Sequence, residues 1–272
     1  MGIRIGPPGI LIAIEGIDGA GKTTQAELIA SRMEEAGLDV VRSKEPTSGP
    51  WGRKLRESAS NGRMTATDEL AAFIADRKEH VASTIGPALA RGAVVIVDRY
   101  YFSNVAYQGA RGMDPAEILR INEEFAPPPD MLIVLSVAPS VGVRRIVDRG
   151  DAGNLFEREE DLAASAAIFD QIDKPYLLRV DGTRAREEIA QAILFRLYDG
   201  ALFRKACLKS HYKDTCEPAF CSFRISGECN YVKLGGLAPP LASITADLSM
   251  SPTEQVAAIR ALVTGPGRNV FE

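Results

Sequence analysis

The stretch GIDGAGKT, residues 16–23, is the most informative part of the sequence. It matches the pattern G-x-x-x-x-G-K-[ST] in full, with a short apolar run before it and a helical pattern after it. Glycines in such a loop allow successive backbone N–H groups to turn inward around an anion, and the N-terminus of the following helix adds positive potential. The stretch therefore predicts a phosphate-binding loop between a strand and a helix.

Nucleotide chemistry predicts roles for two side chains of this loop and for one downstream carboxylate. Lys22 is expected to reach the β- and γ-phosphates of ATP, and the Thr23 hydroxyl to bind Mg²⁺. Asp98 follows the apolar run 93–97 and is expected to hold Mg²⁺ partly through water. The residues predicted to bind the ATP phosphates are Gly16, Asp18, Gly19, Ala20, Gly21, Lys22, Thr23 and Thr24. The alternatives are an unrelated glycine turn and a plain turn aspartate at a strand end.

Apolar runs alternate with helical patterns along most of the chain. The predicted strands are 9–15, 38–42, 93–97, 131–137 and 176–180, and the longest predicted helix is 67–91. This alternation is typical of a parallel sheet covered by helices on both faces. We therefore predict an α/β fold with a five-stranded parallel sheet, in which residues 1–200 form the phosphate-binding domain. Residues 201–272 are predicted to be a small extension.

The composition excludes several classes of function. The chain has 272 residues, of which 46% are hydrophobic, and a formal net charge of −4, so the whole chain is not a basic nucleic-acid-binding protein. No apolar run reaches the ~18 residues that a membrane span requires, and the first nine residues do not resemble a secretory signal. We expect a cytoplasmic protein without membrane contact that binds anionic substrates through local positive groups.

Several segments together resemble the thymidylate kinase family of P-loop nucleoside monophosphate kinases. In order they are EGIDGAGKTT (15–24), KEPT (44–47), FIADRKEH (73–80), and DRY…S…AYQG (98–109). The last segment discriminates most, because a phosphate-binding loop alone does not select this family. The resemblance covers about residues 9–199. It implies an enzyme that converts dTMP to dTDP with ATP and Mg²⁺, and we expect a homodimer.

The resemblance implies roles for four residues around the acceptor nucleoside. Phe73 would stack on the thymine ring, and Arg77, one helical turn further on the same face, would donate to a ring carbonyl. Gln108 would contact the N3 edge of the base. Tyr107 would lie under the sugar and crowd a 2′-hydroxyl. From the residue pattern alone, Phe73 could instead be a core residue of an amphipathic helix, Arg77 a surface charge, and Tyr107 a packed loop aromatic.

The resemblance also implies how the phosphates are held. Asp18 would accept the 3′-hydroxyl of the acceptor, and Arg99 would bridge the acceptor and donor phosphates. Some family members have an arginine in the phosphate-binding loop where this chain has Gly19. Such enzymes supply the missing charge from a lid, for which Arg149 is the first candidate and Arg145 the second. The 44–47 segment keeps Glu-Pro but lacks the common Arg-Glu-Pro-Gly-Gly pattern, and Arg56 is a candidate for a phosphate contact from this loop.

The C-terminal extension contains every cysteine of the chain. The four are spaced C-x8-C-x4-C-x7-C, without the C-x2-C pairs of strong zinc signatures; they are Cys207, Cys216, Cys221 and Cys229. The stretch is too polar to build its own core, so a structural Zn²⁺ would give it a staple. Free thiols, disulfides and an iron–sulfur cluster are the alternatives.

Two other functions remain open from the sequence. One is a different nucleotide kinase or a polyphosphate-dependent kinase. The other is a non-catalytic nucleotide sensor whose basic tail binds nucleic acid or protein. The intact set of Lys22, Thr23, Asp98 and Arg99 favours the enzyme.

Overall fold

The computed structural model describes residues 8–150 and 159–199, together with the backbone of two short strands in the C-terminal extension. The strands are β1 (Ile10–Glu15), β2 (Val40–Lys44), β3 (Val94–Asp98), β4 (Met131–Ser136), β5 (Leu177–Asp181), β6 (Arg224–Ile225) and β7 (Glu228–Cys229). The helices are α1 (Lys22–Glu35), α2 (Pro50–Asn61), α3 (Ala66–His80), α4 (Gly86–Ala90), α5 (Tyr101–Gly109), α6 (Pro115–Glu123), α7 (Pro139–Asp148), α8 (Glu159–Gln171) and α9 (Arg186–Asp199).

The main sheet has five strands in the order β2-β3-β1-β4-β5, and all neighbours are parallel. Every residue of β1 and β3 is buried, whereas the edge strands β2 and β5 are only partly buried. Central strands can be apolar throughout because helices cover both faces of the sheet. The predicted α/β class is confirmed. The strands β6 and β7 form a separate antiparallel pair.

The strand register brings three chain segments together at the carboxyl edge of the sheet. Ile14 of β1 lies opposite Asp98 of β3, and Lys44 of β2 lies opposite the same aspartate. The segments that follow β1 and β3 therefore begin side by side. Open parallel sheets bind their ligands at this edge.

The helix predicted over 67–91 is interrupted. A π-helical turn, Val81–Ile85, separates α3 from α4, and the Gly86 N–H donates to the Val81 carbonyl five residues earlier. Pro87, in the first turn of α4, has no N–H and cannot follow a regular helical turn without a clash. A local π turn accommodates it. The sequence patterns also missed α5. Within the described ranges, no helix combines the length and the apolar composition of a membrane span.

Candidate active site

The phosphate-binding loop depends on glycines that approach other backbone segments closely. Gly16 and Gly19 have φ values of 135° and 79°, a region that residues with a Cβ rarely adopt. A Cβ at Gly16 would lie 2.4 Å from the Leu135 carbonyl oxygen, and one at Gly19 would lie 2.3 Å from that of Gly142. The loop is thus packed against β4 and α7, and a P-loop arginine at Gly19 would not fit this packing.

Lys22 lies folded back into the loop. Its Nζ donates to the carbonyl oxygens of Gly16 (2.8 Å) and Ile17 (2.7 Å), and the side chain is only 5% exposed. Burial lowers the pKa of Lys22 to about 8, although the charges of Asp98 and Glu15 partly oppose this shift. The ammonium group is therefore held where it is poorly solvated, a place in which phosphate oxygens would stabilise its charge.

Thr23 and Asp98, the two predicted magnesium ligands, lie next to each other in the structure. The Thr23 hydroxyl donates to Asp98 Oδ2 at 2.5 Å, and Lys44 Nζ lies 3.5 Å from the same oxygen. Asp98 Oδ1 is buried and has no hydrogen-bond partner within the described residues. Hydroxyl and carboxylate oxygens are ligands that Mg²⁺ prefers, usually together with water and substrate phosphates. The described part of the chain contains no cluster of three or more acidic, His or Cys side chains that could hold an ion alone.

A cavity of about 190 Å³ opens beside the loop. All six residues that the sequence assigned to the acceptor nucleotide line it: Asp18, Phe73, Arg77, Arg99, Tyr107 and Gln108. Further lining residues include Glu45, Pro46, Leu55, Arg56, Glu69, Ser103 and Asn104. Residues from α2, α3, α5 and the phosphate-binding loop therefore face one space.

Arg99 lies between the loop and the cavity. Its guanidinium forms a short ion pair with Asp18 and lies 5.6 Å from the centre of the Tyr107 ring. Tyr107 in turn packs edge-to-face against Phe169, with the ring centres 6.3 Å apart. This arrangement joins the phosphate-binding loop to the cavity wall through two charged side chains and one aromatic ring.

Arg77 is almost completely buried at the base of the cavity. Its Nε donates to Glu45 at 2.8 Å, and one terminal nitrogen donates to both Asn104 (2.7 Å) and Asn122 (2.5 Å). The second terminal nitrogen lies 2.6 Å from Glu45. All three guanidinium nitrogens thus have partners in the interior, and the contact of Arg77 with a base carbonyl stays a prediction.

Gln108 is held at both ends of its amide. Its Nε2 donates to Glu69, and its Oε1 accepts from Asn104, each at 2.9 Å. Asn104 therefore lies between Gln108 and Arg77 on the cavity wall. The sequence reasoning did not single out Asn104, although it precedes Gln108 by four residues and so shares its helix face. The contact of Gln108 with the N3 edge stays a prediction.

The two candidate lid arginines have different surroundings. Arg145 donates to the carbonyl oxygens of Gly19 (3.2 Å) and Gly182 (3.0 Å), so it ties the phosphate-binding loop to the segment after β5. Arg149 follows α7, and its charge is one of those that lower the pKa of Lys22. Arg149 therefore remains the better lid candidate. Residues 151–158 lie outside the described part of the chain.

The segment after β2 is fixed by hydrogen bonds from neighbouring helices. Asp76 accepts from the Thr47 N–H (2.7 Å) and hydroxyl (2.6 Å). Arg56 donates to the carbonyl oxygens of Pro46 (3.0 Å) and Thr47 (2.7 Å). His80 is also buried, and it bridges Glu45 and Ser43 instead of facing the cavity. These contacts support the cavity wall, with Arg56 at its rim.

The fold and this site define the class of P-loop phosphotransferases. The family model described as thymidylate kinase matches residues 14–193. A thymidylate kinase of Xanthomonas campestris pv. campestris (strain B100) is 53% identical over 175 residues, which are 64% of this chain and 77% of that protein. Another, of Akkermansia muciniphila, is 49% identical over 185 residues, covering 68% and 89% of the two chains. The chain belongs to the thymidylate kinase family.

Proposed function

We propose that this protein transfers the γ-phosphoryl group of ATP to dTMP, which gives dTDP and ADP. The observation that supports it most is the direct contact between the phosphate-binding loop and the neighbouring cavity through Asp18 and Arg99. A donor site and an acceptor site thus share one wall. A panel of nucleoside monophosphates with ATP, followed by ADP release, tests the proposal. It fails if dTMP is not the preferred acceptor.

The chain's own residues supply positioning and positive charge. Lys22 and the loop N–H groups neutralise the donor phosphates, and Arg99 stabilises charge on the transferred group between the two substrates. Thr23 and Asp98 would hold Mg²⁺, which supplies further charge neutralisation when it is bound with ATP. Arg149 would complete the enclosure from the lid. Because phosphoryl transfer depends mainly on alignment and electrostatics, no general base is required.

Tyr107 is the residue proposed to exclude ribonucleotides. It lines the cavity, and its ring is fixed between Arg99 and Phe169. We expect kcat/KM for dUMP to exceed that for UMP by at least about 10-fold, the range of discrimination that a small steric difference gives. Tyr107→Ala should reduce the ratio by admitting the 2′-hydroxyl. Equal kcat/KM for UMP and dUMP in the wild type would contradict this role.

A structural zinc site in the C-terminal extension is a separate proposal. The side chains of Cys207, Cys216, Cys221 and Cys229 lie outside the described residues. We propose that they bind one structural Zn²⁺ away from catalysis. Protein purified without added zinc should contain about one zinc per chain, and Cys216→Ser/Cys221→Ser should lose it. Full-length protein without metal would contradict the proposal.

The extension is also proposed to be dispensable for phosphoryl transfer. Each residue assigned to the substrates or to Mg²⁺ precedes residue 200. A chain ending at residue 200 should therefore retain kcat within about twofold, since changes remote from a site usually leave it intact. A folded but inactive truncated chain would show that the extension belongs to the active site. We further propose a cytoplasmic homodimer, for which sedimentation of the full-length protein tests the dimer.

A further inference from the structure

Glu15 is a buried carboxylate without an assigned role in the transfer reaction. It is the last residue of β1, directly before the phosphate-binding loop, and is 0% exposed. Its Oε1 accepts from the backbone N–H groups of Tyr100 (2.7 Å) and Ser103 (3.0 Å), and its Oε2 accepts from the Ser103 hydroxyl (2.6 Å). Three donors thus compensate for a carboxylate whose burial is otherwise costly.

The three donors belong to the start of α5. Tyr100 is the N-cap residue of this helix, and its own side chain makes no capping hydrogen bond. The first N–H groups of a helix lack the regular partner four residues earlier. Glu15, at the end of β1, accepts from the N–H groups of Tyr100 and Ser103, and the Ser103 N–H also donates to the Tyr100 carbonyl at 3.1 Å. It therefore fixes the helix that presents Asn104, Tyr107 and Gln108 to the cavity.

The end of β1 also contacts Arg99, which has an unusual backbone conformation. Its φ of 67° is the only positive value among the described non-glycine residues. Such a conformation persists where surrounding contacts enforce it. The Arg99 N–H donates to the Ile14 carbonyl at 3.0 Å, and the next N–H, that of Tyr100, donates to Glu15. Both partners are consecutive residues of β1, so the end of this strand fixes the turn from which Arg99 reaches Asp18.

We propose that Glu15 is a positioning residue that aligns the acceptor side of the site with the donor side. The backbone after Glu15 forms the donor phosphate loop, and the backbone bound by its carboxylate presents Arg99 and α5. One side chain thereby links the two halves across which the phosphoryl group moves. This inference rests on the proposed function, since the alignment matters only if both substrates meet at Arg99.

Two substitutions of Glu15 distinguish a positioning role of its side chain from an effect of its negative charge. Glu15→Ala should lower kcat for dTMP by about 100-fold, the cost of a small misplacement of reacting groups. Its Kd for a non-hydrolysable ATP analogue should stay within about threefold of wild type, since the loop retains its own hydrogen bonds. Glu15→Gln should retain kcat within about tenfold, because its amide oxygen can accept both backbone N–H groups and its amide nitrogen can donate to the Ser103 hydroxyl.

A double-mutant cycle tests whether Glu15 acts through Arg99. In an Arg99→Ala background, Glu15→Ala should cost less than about 10-fold, because residues that act as a unit are not additive. Asp130→Asn is the matched control: this carboxylate accepts the Leu11 N–H at 2.9 Å near the opposite end of β1, and its loss should leave kcat unchanged. Additive losses in the cycle, or a Glu15→Gln variant as impaired as Glu15→Ala, would overturn the inference.

A further variant covers the case in which Glu15→Ala does not fold. Ser103→Ala removes one of the three donors and should lower kcat by about fivefold, the effect of one hydrogen bond, while the ATP analogue binds normally. An unchanged kcat in this folded variant would contradict the inference. Absence of dTMP phosphorylation by the wild-type protein would instead contradict the proposed function.

Discussion

Lys22→Met should lower kcat for dTDP formation by about 100-fold or more. The substitution removes a preorganised positive charge that would stabilise the negative charge of the phosphates during transfer. The wild-type ammonium group lies in the phosphate-binding loop, held by the Gly16 and Ile17 carbonyl oxygens. Methionine keeps the length of the side chain but removes the charge. ADP release under saturating ATP and dTMP measures the effect. Near-normal turnover of the folded variant would be incompatible with the loop assignment.

The same substitution should not unfold the protein. Burial lowers the pKa of Lys22 to about 8 from its usual 10.5, so the folded state binds this proton more weakly than the unfolded state. Below pH 8 both states are protonated and the penalty is fully present, whereas between pH 8 and 10.5 it diminishes as pH rises. Removal of the charge at pH 7 should therefore leave Tm equal or higher. Lys174→Met, which alters a partly exposed pair with Glu123, should leave kcat unchanged.

Arg77→Met should lower the free energy of unfolding by about 3–5 kcal/mol, the cost of breaking a buried ion pair. Arg77 and Glu45 are 1% and 2% exposed, and the substitution leaves the Glu45 carboxylate without its guanidinium. The amide oxygens of Asn104 and Asn122 lose a donor as well. Urea unfolding measures the change, and KM for dTMP should rise in parallel because Arg77 lines the cavity.

Two further variants show whether the buried charge is the cause. Glu45→Gln in the Arg77→Met background should recover part of the lost stability, since a neutral amide is cheaper to bury than an unpaired carboxylate. Arg91→Met is the matched control, because Arg91 is 38% exposed in its pair with Asp39, and exposed pairs contribute at most about 1 kcal/mol. If Arg77→Met costs no more than Arg91→Met, the buried network does not stabilise the fold.

Local patterns were sufficient for the sheet and the phosphate-binding loop. The apolar runs could be read as strands because parallel strands are buried on both faces. For most strands the predicted bounds differ from the observed ones by one or two residues, for example 93–97 against Val94–Asp98. The loop was equally accessible, because its function depends on backbone conformation and on Lys22 and Thr23, which are adjacent in sequence. The start of α5 could not be predicted in this way, since its N-terminal acceptor is Glu15, 85 residues before Tyr100.

Family resemblance predicted the residues of the acceptor pocket, but the contacts that orient their side chains depend on tertiary structure. Arg77 binds Glu45, Asn104 and Asn122, which are 32, 27 and 45 residues away in the chain. A pattern in one helix cannot indicate such partners. The surroundings of the second candidate lid arginine likewise depend on packing, since Arg145 is engaged with Gly19 and Gly182.

What the sequence determined and what the tertiary structure determined differ in how far apart the interacting residues lie along the chain. Strand burial, glycine turns and the chemistry of the loop are encoded by residues close together in sequence, so the sequence specified the class of fold and the nucleotide chemistry. The direction of each buried polar side chain depends on which distant donor or acceptor can satisfy it, because an unpaired polar group in the interior is costly. Only the folded chain brings Glu15, Arg77 and Arg99 to their partners, and these pairings align the two halves of the site.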